Sequence, residues 1–153
     1  MLVLPTIRLA TPADAHAIAE LSRDAIECGL GWTYTPARIL AALRSRITNV
    51  AVISEGETLH AAGIMDYGDT SAHLILLGVR YGERRRGLGR HVLNWLEECA
   101  VTAGLRAIGV EVRADNPGGI AFYQAHGYRF RDRVPHYYRG VLDAVRLAKL
   151  LGP

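Results

Sequence analysis

The stretch that decides the fold reads Leu74-Ile75-Leu76-Leu77-Gly78-Val79, then Arg80-Tyr81-Gly82-Glu83, then Arg84-Arg85-Arg86-Gly87-Leu88-Gly89. Its first six residues have the length and the branching of a buried strand. From Leu88 onward, apolar residues recur at helical spacing and predict an amphipathic helix. A strand, a glycine-containing turn and a helix in this order direct unpaired backbone N–H groups and the positive end of a helix dipole at an anion. The pattern R-x-x-G-x-G at residues 84–89 therefore predicts a site for a phosphate-bearing cofactor.

Arginines are concentrated around this turn. Of the eighteen basic residues only Lys149 is a lysine, and five arginines lie within residues 80–90. Guanidinium groups match phosphate oxygens bidentately. A general preference for arginine in a solvated loop is the alternative explanation. Cations at a helix N-terminus are unfavourable without a bound anion, so the clustering favours a phosphate site.

Size and composition indicate one domain spanning residues 1–153. Half of the residues are hydrophobic, the formal net charge is +3, and no stretch is long and apolar enough for a membrane span. The first residues lack the charged segment and the long apolar run of a signal peptide. Cys28 and Cys99 lie in helix-like segments without metal-ligand spacing. We therefore expect a cytoplasmic protein with reduced thiols and no metal.

Periodicity and turn signals predict seven strands and four helices. Thr11-Pro12 and Thr35-Pro36 each combine an N-cap with a proline at the first helical position. The predicted strands are 7–9, 50–54, 59–65, 74–79, 107–113, 128–133 and 144–150; the helices run from Thr11 towards Cys28, from Thr35 to about Ser45, from Leu88 to Gly104, and from Asn116 to His126. The order β-α-α-β-β-β-α-β-α-β-β predicts an α/β (α+β layered) fold with a mixed central sheet and helices on both faces.

A second group of residues completes a recognisable pattern. Glu111-Val112-Arg113-Ala114-Asp115-Asn116 is followed by Ala121-Phe122-Tyr123 and by Gly127-Tyr128. Together with Arg84-x-x-Gly87-x-Gly89, the chain from about Ile7 to Leu150 resembles the GNAT superfamily of acetyl-CoA-dependent N-acetyltransferases. Within it, His136-Tyr137-Tyr138 followed by Asp143-Ala144 resembles the N-terminal protein acetyltransferases, particularly the bacterial type that acts on a ribosomal protein.

The chain departs from the family pattern in three places. Tyr81 and Glu83 stand where a proline and an aromatic residue are usual. Gly118-Gly119 opens the last helix where alanines are commoner, which should loosen its first turn. The loop 29–34 matches no specificity signature and leaves the acceptor open.

The resemblance implies acetyl-CoA as the cosubstrate and no metal. Pantetheine would lie along the 74–79 strand like an added strand, with the pyrophosphate on the N–H groups of residues 85–90. The residues expected to contact acetyl-CoA are Leu77, Val79, Arg84, Arg85, Arg86, Gly87, Leu88, Gly89, Arg90, Asn116 and Tyr123.

Three groups are candidates for the chemistry of acetyl transfer. The N–H of Val79 is placed to stabilise an oxyanion. Glu111, alone among apolar neighbours in its strand, should have a raised pKa and accept the proton of the amine; alternatively it pairs with Arg113 on the same face. Tyr123 would protonate the leaving thiolate; alternatively it is a core tyrosine beside Phe122. No cysteine lies in the cofactor blocks, which favours direct attack in a ternary complex.

The acceptor side is the least specified by the sequence. Trp32, Tyr34, Tyr137 and Tyr138 are the candidate acceptor-binding residues. A peptide or protein N-terminal amine is the first-choice acceptor; a small-molecule amine and a non-catalytic acyl-CoA-binding module are the alternatives. We expect no nucleic-acid partner, because aromatics do not interleave with the arginines, and no membrane partner. We expect a monomer or a homodimer. His16, His60 and His73 have no ligand spacing and are predicted to be structural or exposed.

Overall fold

The computed structural model describes residues 5–83 and 87–152. The seven strands are β1 (Ile7–Leu9), β2 (Thr48–Glu55), β3 (Thr58–Tyr67), β4 (Ser71–Val79), β5 (Ala107–Arg113), β6 (Arg129–Tyr138) and β7 (Leu142–Leu150). The four helices are α1 (Ala15–Ala25), α2 (Pro36–Arg44), α3 (Leu88–Thr102) and α4 (Pro117–Ala125), with a 3₁₀ turn at Pro12–Asp14 before α1. The predicted order of strands and helices is therefore confirmed.

All seven strands form one mixed sheet in the order β1-β2-β3-β4-β5-β7-β6. The β4–β5 pair is parallel, as a crossover through α3 requires, and every other pair is antiparallel. The crossover through α4 does not bring β6 next to β5, because β7 lies between them. The predicted mixed sheet thus contains one parallel pair at its centre.

Helices cover both faces of the sheet, as predicted. Burial alternates along β5, and its buried residues Ile108, Val110 and Val112 share a cluster with α3 and α4. The residues between them, including Glu111, therefore lie on the opposite face. On that face α1 and α2 pack against β2, β3 and β4 through a second cluster that includes Ile18.

A glycine allows α3 to approach the sheet closely. A Cβ atom built on Gly63 of β3 would lie 2.8 Å from the side chains of both Leu96 and Val92. Such a separation is far below van der Waals contact, so the helix would have to move away from β3. Gly63 therefore helps to set the distance at which α3 packs against β3.

Several predicted boundaries of helices and strands were wrong. The first helix begins as the 3₁₀ turn Pro12–Asp14 and ends at Ala25 rather than near Cys28. The last two strands are longer than predicted, because β6 continues to Tyr138 and β7 begins at Leu142. Eight of the ten residues of β6 are exposed, and they lie on both faces of the strand, so this edge strand lacks the alternation that marks a half-buried strand.

None of the helices in residues 5–83 and 87–152 combines the length and the hydropathy needed to cross a membrane.

Candidate active site

The central parallel strands separate partway along their length. β4 and β5 are paired from Ser71 with Ala107 up to Leu74 with Val110. Beyond this point β4 continues to Val79 paired with β3, and β5 continues to Arg113 paired with β7. The facing edges of the two strands therefore form a cleft, here called the β4–β5 cleft, whose walls are residues 75–79 and 111–113.

The backbone of β4 points into this cleft. The N–H of Arg80 donates to the carbonyl of His60 on β3 at 2.8 Å. Because successive backbone N–H groups point to opposite edges of a strand, the N–H groups of Val79 and Leu77 point away from β3 and towards β5. An oxyanion donor at the cleft requires this orientation.

The N-terminus of α3 lies beside the end of β4. Gly87 is its N-cap, with a left-handed φ of 77°, and the first N–H with a helical partner is that of His91, which donates to the Gly87 carbonyl. The N–H groups of residues 88–90 precede that bond and are available to an anion. A Cβ on Gly89 would lie 3.3 Å from the side chain of Val79, so glycine permits this close approach.

The arginine-rich part of the turn, Arg84, Arg85 and Arg86, lies outside the described residues. The residue before it, Glu83, contacts the Nδ1 atom of His60 on β3. Glu83 is one of the departures from the family pattern, and its contact ties this side of the turn to the sheet. His60 is buried, so of the two predicted alternatives, structural or exposed, the structural one holds.

Asn116 caps α4 at the other side of the cleft. Its side-chain oxygen accepts a hydrogen bond from the N–H of Gly119 at 2.9 Å. A Cβ on Gly119 would lie 2.5 Å from the Asn116 amide nitrogen and 3.2 Å from Val112. The unusual glycine at this position therefore has a packing reason: it lets the cap fold closely over β5 and the first turn of α4.

Tyr123 is a core residue of α4. Its ring packs edge-on against Phe122, with centroids 5.1 Å apart, and against Tyr128 at 5.4 Å. Burial raises the pKa of the Tyr123 phenol, and Tyr138 is close enough to add to the effect. The phenol is consequently held in its protonated form, the state that a proton donor must have.

Glu111 does not stand alone among apolar neighbours, contrary to the sequence-based prediction. Its carboxylate contacts the Nε2 atom of His73 on β4, and Arg146 of β7 is its register partner. The side chain of Glu111 is 17% exposed and that of His73 is 43% exposed. The hydrogen bond with Glu111 raises the pKa of His73, against the opposing effect of its partial burial.

Arg113 is not the partner of Glu111 either. Its guanidinium forms a bidentate ion pair with Asp115, at 3.0 Å for both contacts, and donates to the carbonyls of Ile26 and Cys28 at 3.1 and 2.8 Å. Arg113 thus fastens the segment after α1 to the end of β5. The alternative of a Glu111–Arg113 pair is wrong, because the loop carbonyls and Asp115 occupy the guanidinium.

His73 was missed as a partner of Glu111 by the sequence reasoning. The two residues are 38 positions apart, and only the β4–β5 register brings them together. A possible signal was available, since both occupy positions between buried residues in their strands. That signal cannot be used without knowing which strands are neighbours and in what register.

The loop between α1 and α2 is built around Glu27, which the sequence reasoning also missed. Its buried carboxylate accepts from the Ser22 hydroxyl at 2.9 Å and from the backbone N–H groups of Thr33 and Tyr34 at 2.6 and 3.1 Å. Arg139, in the β6–β7 turn, donates to the hydroxyl of Thr33 at 3.0 Å. The two loops therefore meet on the face of the sheet that carries Glu111.

Of the four predicted acceptor-binding residues, Trp32 anchors a loop, whereas Tyr34, Tyr137 and Tyr138 lie near Glu111. Trp32 donates from Nε1 to the Ala19 carbonyl at 2.9 Å, so its indole anchors the loop to α1. Tyr137 and Tyr138 pack edge-on with centroids 4.9 Å apart. Burial raises the pKa of Tyr138, and Tyr137, Glu111 and Tyr34 are close enough to contribute. Three of the four phenol and indole groups therefore surround the side of the cleft at which Glu111 lies.

Comparison with known proteins identifies the family. The model of the acetyltransferase (GNAT) family matches residues 17–128, well over half of the chain. The chain belongs to the GNAT family. The members of this family are acetyltransferases, and the family uses acetyl-CoA as its donor.

Solved GNAT structures share the fold over almost the whole chain. The ribosomal-protein-S18-alanine N-acetyltransferase from Escherichia coli superposes with a TM-score of 0.82 at 23% identity, covering 97% of this chain and 94% of that one. A GNAT acetyltransferase from Elizabethkingia anophelis with acetyl-CoA bound gives a TM-score of 0.75 at 15% identity, covering 95% and 97%. At these identities the similarity establishes the fold.

A curated relative has higher sequence identity but is a longer protein. Mycothiol acetyltransferase from Geodermatophilus obscurus is 35% identical over 128 residues, which are 82% of this chain and 36% of the relative. The chain thus spans about a third of the length of the relative that it matches.

The described residues of this GNAT protein fit an acyl-CoA donor. The β4–β5 cleft offers unpaired backbone to an extended ligand, and the first turn of α3 offers N–H groups to a pyrophosphate. Gly89 lets these two features approach each other closely. Both features are set by backbone geometry and therefore do not depend on the orientation of any one side chain.

Proposed function

We propose that the protein transfers the acetyl group of acetyl-CoA to a primary amine by direct attack in a ternary complex, and that the acceptor is the N-terminal amine of a peptide or protein. The observation that carries the proposal is the β4–β5 cleft, which has the N-terminus of α3 at one end, Glu111 on its β5 wall and the protonated phenol of Tyr123 in the adjoining helix. This arrangement supplies the anion site, a carboxylate and a proton donor that the reaction needs.

The donor would be held mainly by backbone. The N–H groups of Gly87, Leu88, Gly89 and Arg90 would receive the pyrophosphate, with charge added by Arg84, Arg85 and Arg86, and the edge of β4 at Leu77 and Val79 would hold the pantetheine. Asn116 and Tyr123 would contact the donor from the α4 side. This assignment is supported by the orientation of the β4 N–H groups and by the uncapped first turn of α3.

The chemistry divides among three groups. The amine nitrogen forms a bond to the thioester carbon while the Val79 N–H stabilises the negative charge on the carbonyl oxygen. Glu111 accepts a proton from the amine, directly or through water. The carbon–sulfur bond breaks, and Tyr123 donates its phenolic proton to the leaving thiolate. Since neither cysteine lies on β4, β5 or α4, the acetyl group passes to the amine without an acetyl-cysteine intermediate.

The acceptor assignment rests on the face that carries Glu111. Tyr34, Tyr137 and Tyr138 border this side of the cleft, between two loops joined by the Arg139–Thr33 hydrogen bond. A cleft flanked by two loops suits an extended peptide, and the fold similarity to an enzyme named for an alanine of a ribosomal protein points the same way. A small-molecule amine is the second candidate, favoured by the higher identity to mycothiol acetyltransferase.

An acceptor panel tests this proposal. The purified protein and acetyl-CoA are incubated with tetrapeptides that differ in their first residue, starting with alanine, and with ethanolamine, tyramine and spermidine. CoA release is followed with a thiol reagent, and products are identified by mass. The control for each peptide is the same sequence with its N-terminus already acetylated.

We expect turnover of free peptides and none of the blocked controls. Turnover of the small amines alone would replace the peptide assignment with the second candidate. Binding of acetyl-CoA without turnover of any amine would indicate a non-catalytic acyl-CoA-binding module and contradict the proposal.

A further inference from the structure

His73 and Glu111 meet where β4 and β5 begin to separate. The last register pair of the two strands is Leu74 with Val110, and His73 and Glu111 flank that pair on the face opposite α3. The imidazole Nε2 atom contacts the carboxylate Oε2 atom. Contact with one oxygen orients the carboxylate group while leaving Oε1 for another partner.

The remaining charged and titratable groups around the pair come from three strands and a loop. Asp66 of β3 is the register partner of His73, and its charge adds to the increase in the pKa of His73. On the other side Arg146 of β7 is the register partner of Glu111. Tyr137 and Tyr138 of β6 and Tyr34 of the α1–α2 loop complete the surroundings.

Arg146 is the group that could draw Glu111 away from the cleft, but it is held elsewhere. Its Nε and Nη2 atoms form a bidentate ion pair with Asp132 of β6, at 2.7 Å for both contacts. A bidentate guanidinium–carboxylate pair uses the directional donors of the arginine. The Glu111 carboxylate is therefore directed by His73, on the cleft side, rather than by Arg146, on the outer side.

We propose that His73 is the positioning residue for Glu111: its Nε2–H donates to Oε2 and fixes the carboxylate at the mouth of the β4–β5 cleft, with Oε1 free to receive the amine proton. This inference rests on the proposed function, because it assigns His73 an effect that acts through Glu111 as the proton acceptor.

Four variants test the inference: His73→Gln, His73→Leu, Glu111→Gln and the double variant His73→Leu/Glu111→Gln. Glutamine keeps a donor close to the position of Nε2, and leucine removes it. With the best acceptor from the panel, we expect His73→Leu to lower kcat about tenfold, the effect of losing one hydrogen bond to a charged group. His73→Gln should recover most of the activity, and the KM for acetyl-CoA should stay unchanged in both.

The double variant separates positioning from general damage. If His73 acts through Glu111, adding His73→Leu to Glu111→Gln should lower kcat no further. Multiplicative losses, or equal losses for His73→Gln and His73→Leu, would overturn the inference. His16→Leu is the matched control, because His16 lies on α1 with 74% of its side chain exposed.

Failure of the proposed function gives a different result from failure of the inference. In the first case the wild type turns over none of the amines. In the second case the wild type is active and His73→Leu matches it in kcat. Circular dichroism and the midpoint of thermal unfolding confirm that each variant is folded before the rates are compared.

Discussion

Tyr123 shows how one residue can belong to the core and still be suited to a reaction. Its ring is held between Phe122 and Tyr128, and its burial raises the pKa of the phenol. The alternatives of a core tyrosine and a proton donor therefore do not exclude each other. Packing that fixes the ring also fixes where the phenolic proton is presented.

Tyr123→Phe separates the two contributions, since phenylalanine keeps the ring and removes the proton. We expect kcat to fall by roughly 10²–10⁴, the usual contribution of a positioned proton donor, with acetyl-CoA affinity nearly unchanged. Steady-state kinetics and calorimetry measure both quantities. Tyr67→Phe is the matched control, because Tyr67 lies at the far end of β3 beside Asn49. A rise in KM with kcat intact would make Tyr123 a packing or binding residue only.

The pKa of His73 provides a prediction that requires no acceptor. Its hydrogen bond with Glu111 raises this pKa above the ordinary 6.5. Glu111→Gln should therefore lower it, as measured by NMR titration of the imidazole. Glu20→Gln, which removes a carboxylate from α1, is the control. An unchanged titration in Glu111→Gln would assign the shift to Asp66 and contradict the pair.

The sign of the stability effect follows from the same shift. A group whose pKa is higher in the folded state stabilises that state below the unfolded pKa, and the contribution is lost as pH rises through the folded pKa. The stability of the wild type relative to Glu111→Gln should therefore fall as the pH rises from 6.5, the ordinary pKa of the imidazole, through the raised pKa of His73 in the folded protein. The difference should be small, because the imidazole is partly exposed and screened by solvent.

At the scale of elements, the junction between β4 and α3 is where we propose that the donor binds. Gly87 turns the chain in a left-handed conformation, and Gly89 brings the first turn of α3 against Val79. The N–H groups of this turn and the edge of β4 are thereby placed side by side. A side chain at residue 89 would separate them.

Gly89→Val tests the junction. The branched side chain would meet Val79 and the ring of Phe122, which lie 3.3 and 3.7 Å from a Cβ. We expect CoA affinity measured by calorimetry to fall at least tenfold. Asn94→Val, at an exposed position of α3, controls for the lower helix propensity of valine. Unchanged affinity in a folded Gly89→Val protein would show that CoA does not bind at this junction.

At the scale of the whole molecule, the sheet topology creates the cleft. β4 is held by β3 and β5 is held by β7, so the two strands can separate after Val110 without leaving the sheet. The cleft lies between the face of the sheet that carries α4 and the face on which the two loops meet. We propose that the donor and the acceptor enter from different sides and are bound at the same time.

Simultaneous binding has a kinetic consequence. Initial rates measured at several acetyl-CoA concentrations should give double-reciprocal plots that intersect, as expected for a ternary complex. Mass spectrometry of the enzyme mixed with acetyl-CoA alone should find no acetylated protein. Parallel plots together with an acetylated Cys28 or Cys99 would instead establish a covalent intermediate and contradict direct attack.

Local patterns in the sequence were sufficient for the element order and the mixed sheet. Apolar runs, cap residues and glycine–proline signals depend on neighbours within about four residues. They can therefore be recognised in the sequence without knowledge of the tertiary structure. The family resemblance, confirmed by the match to residues 17–128, likewise rests on contiguous motifs. The edge strand β6 was misjudged at its end because exposure on both faces removes the alternation on which prediction depends.

The sequence alone thus determined the GNAT family and the element order, because both depend on short-range spacing. Only the tertiary structure decided the surroundings of Glu111. His73 contacts Glu111 because β4 and β5 are neighbours in register. Arg146 forms its ion pair with Asp132 instead of Glu111. Arg113 donates to the backbone of the loop after α1. These contacts join residues that are far apart in the chain, and strand register, which no local pattern specifies, selects among them.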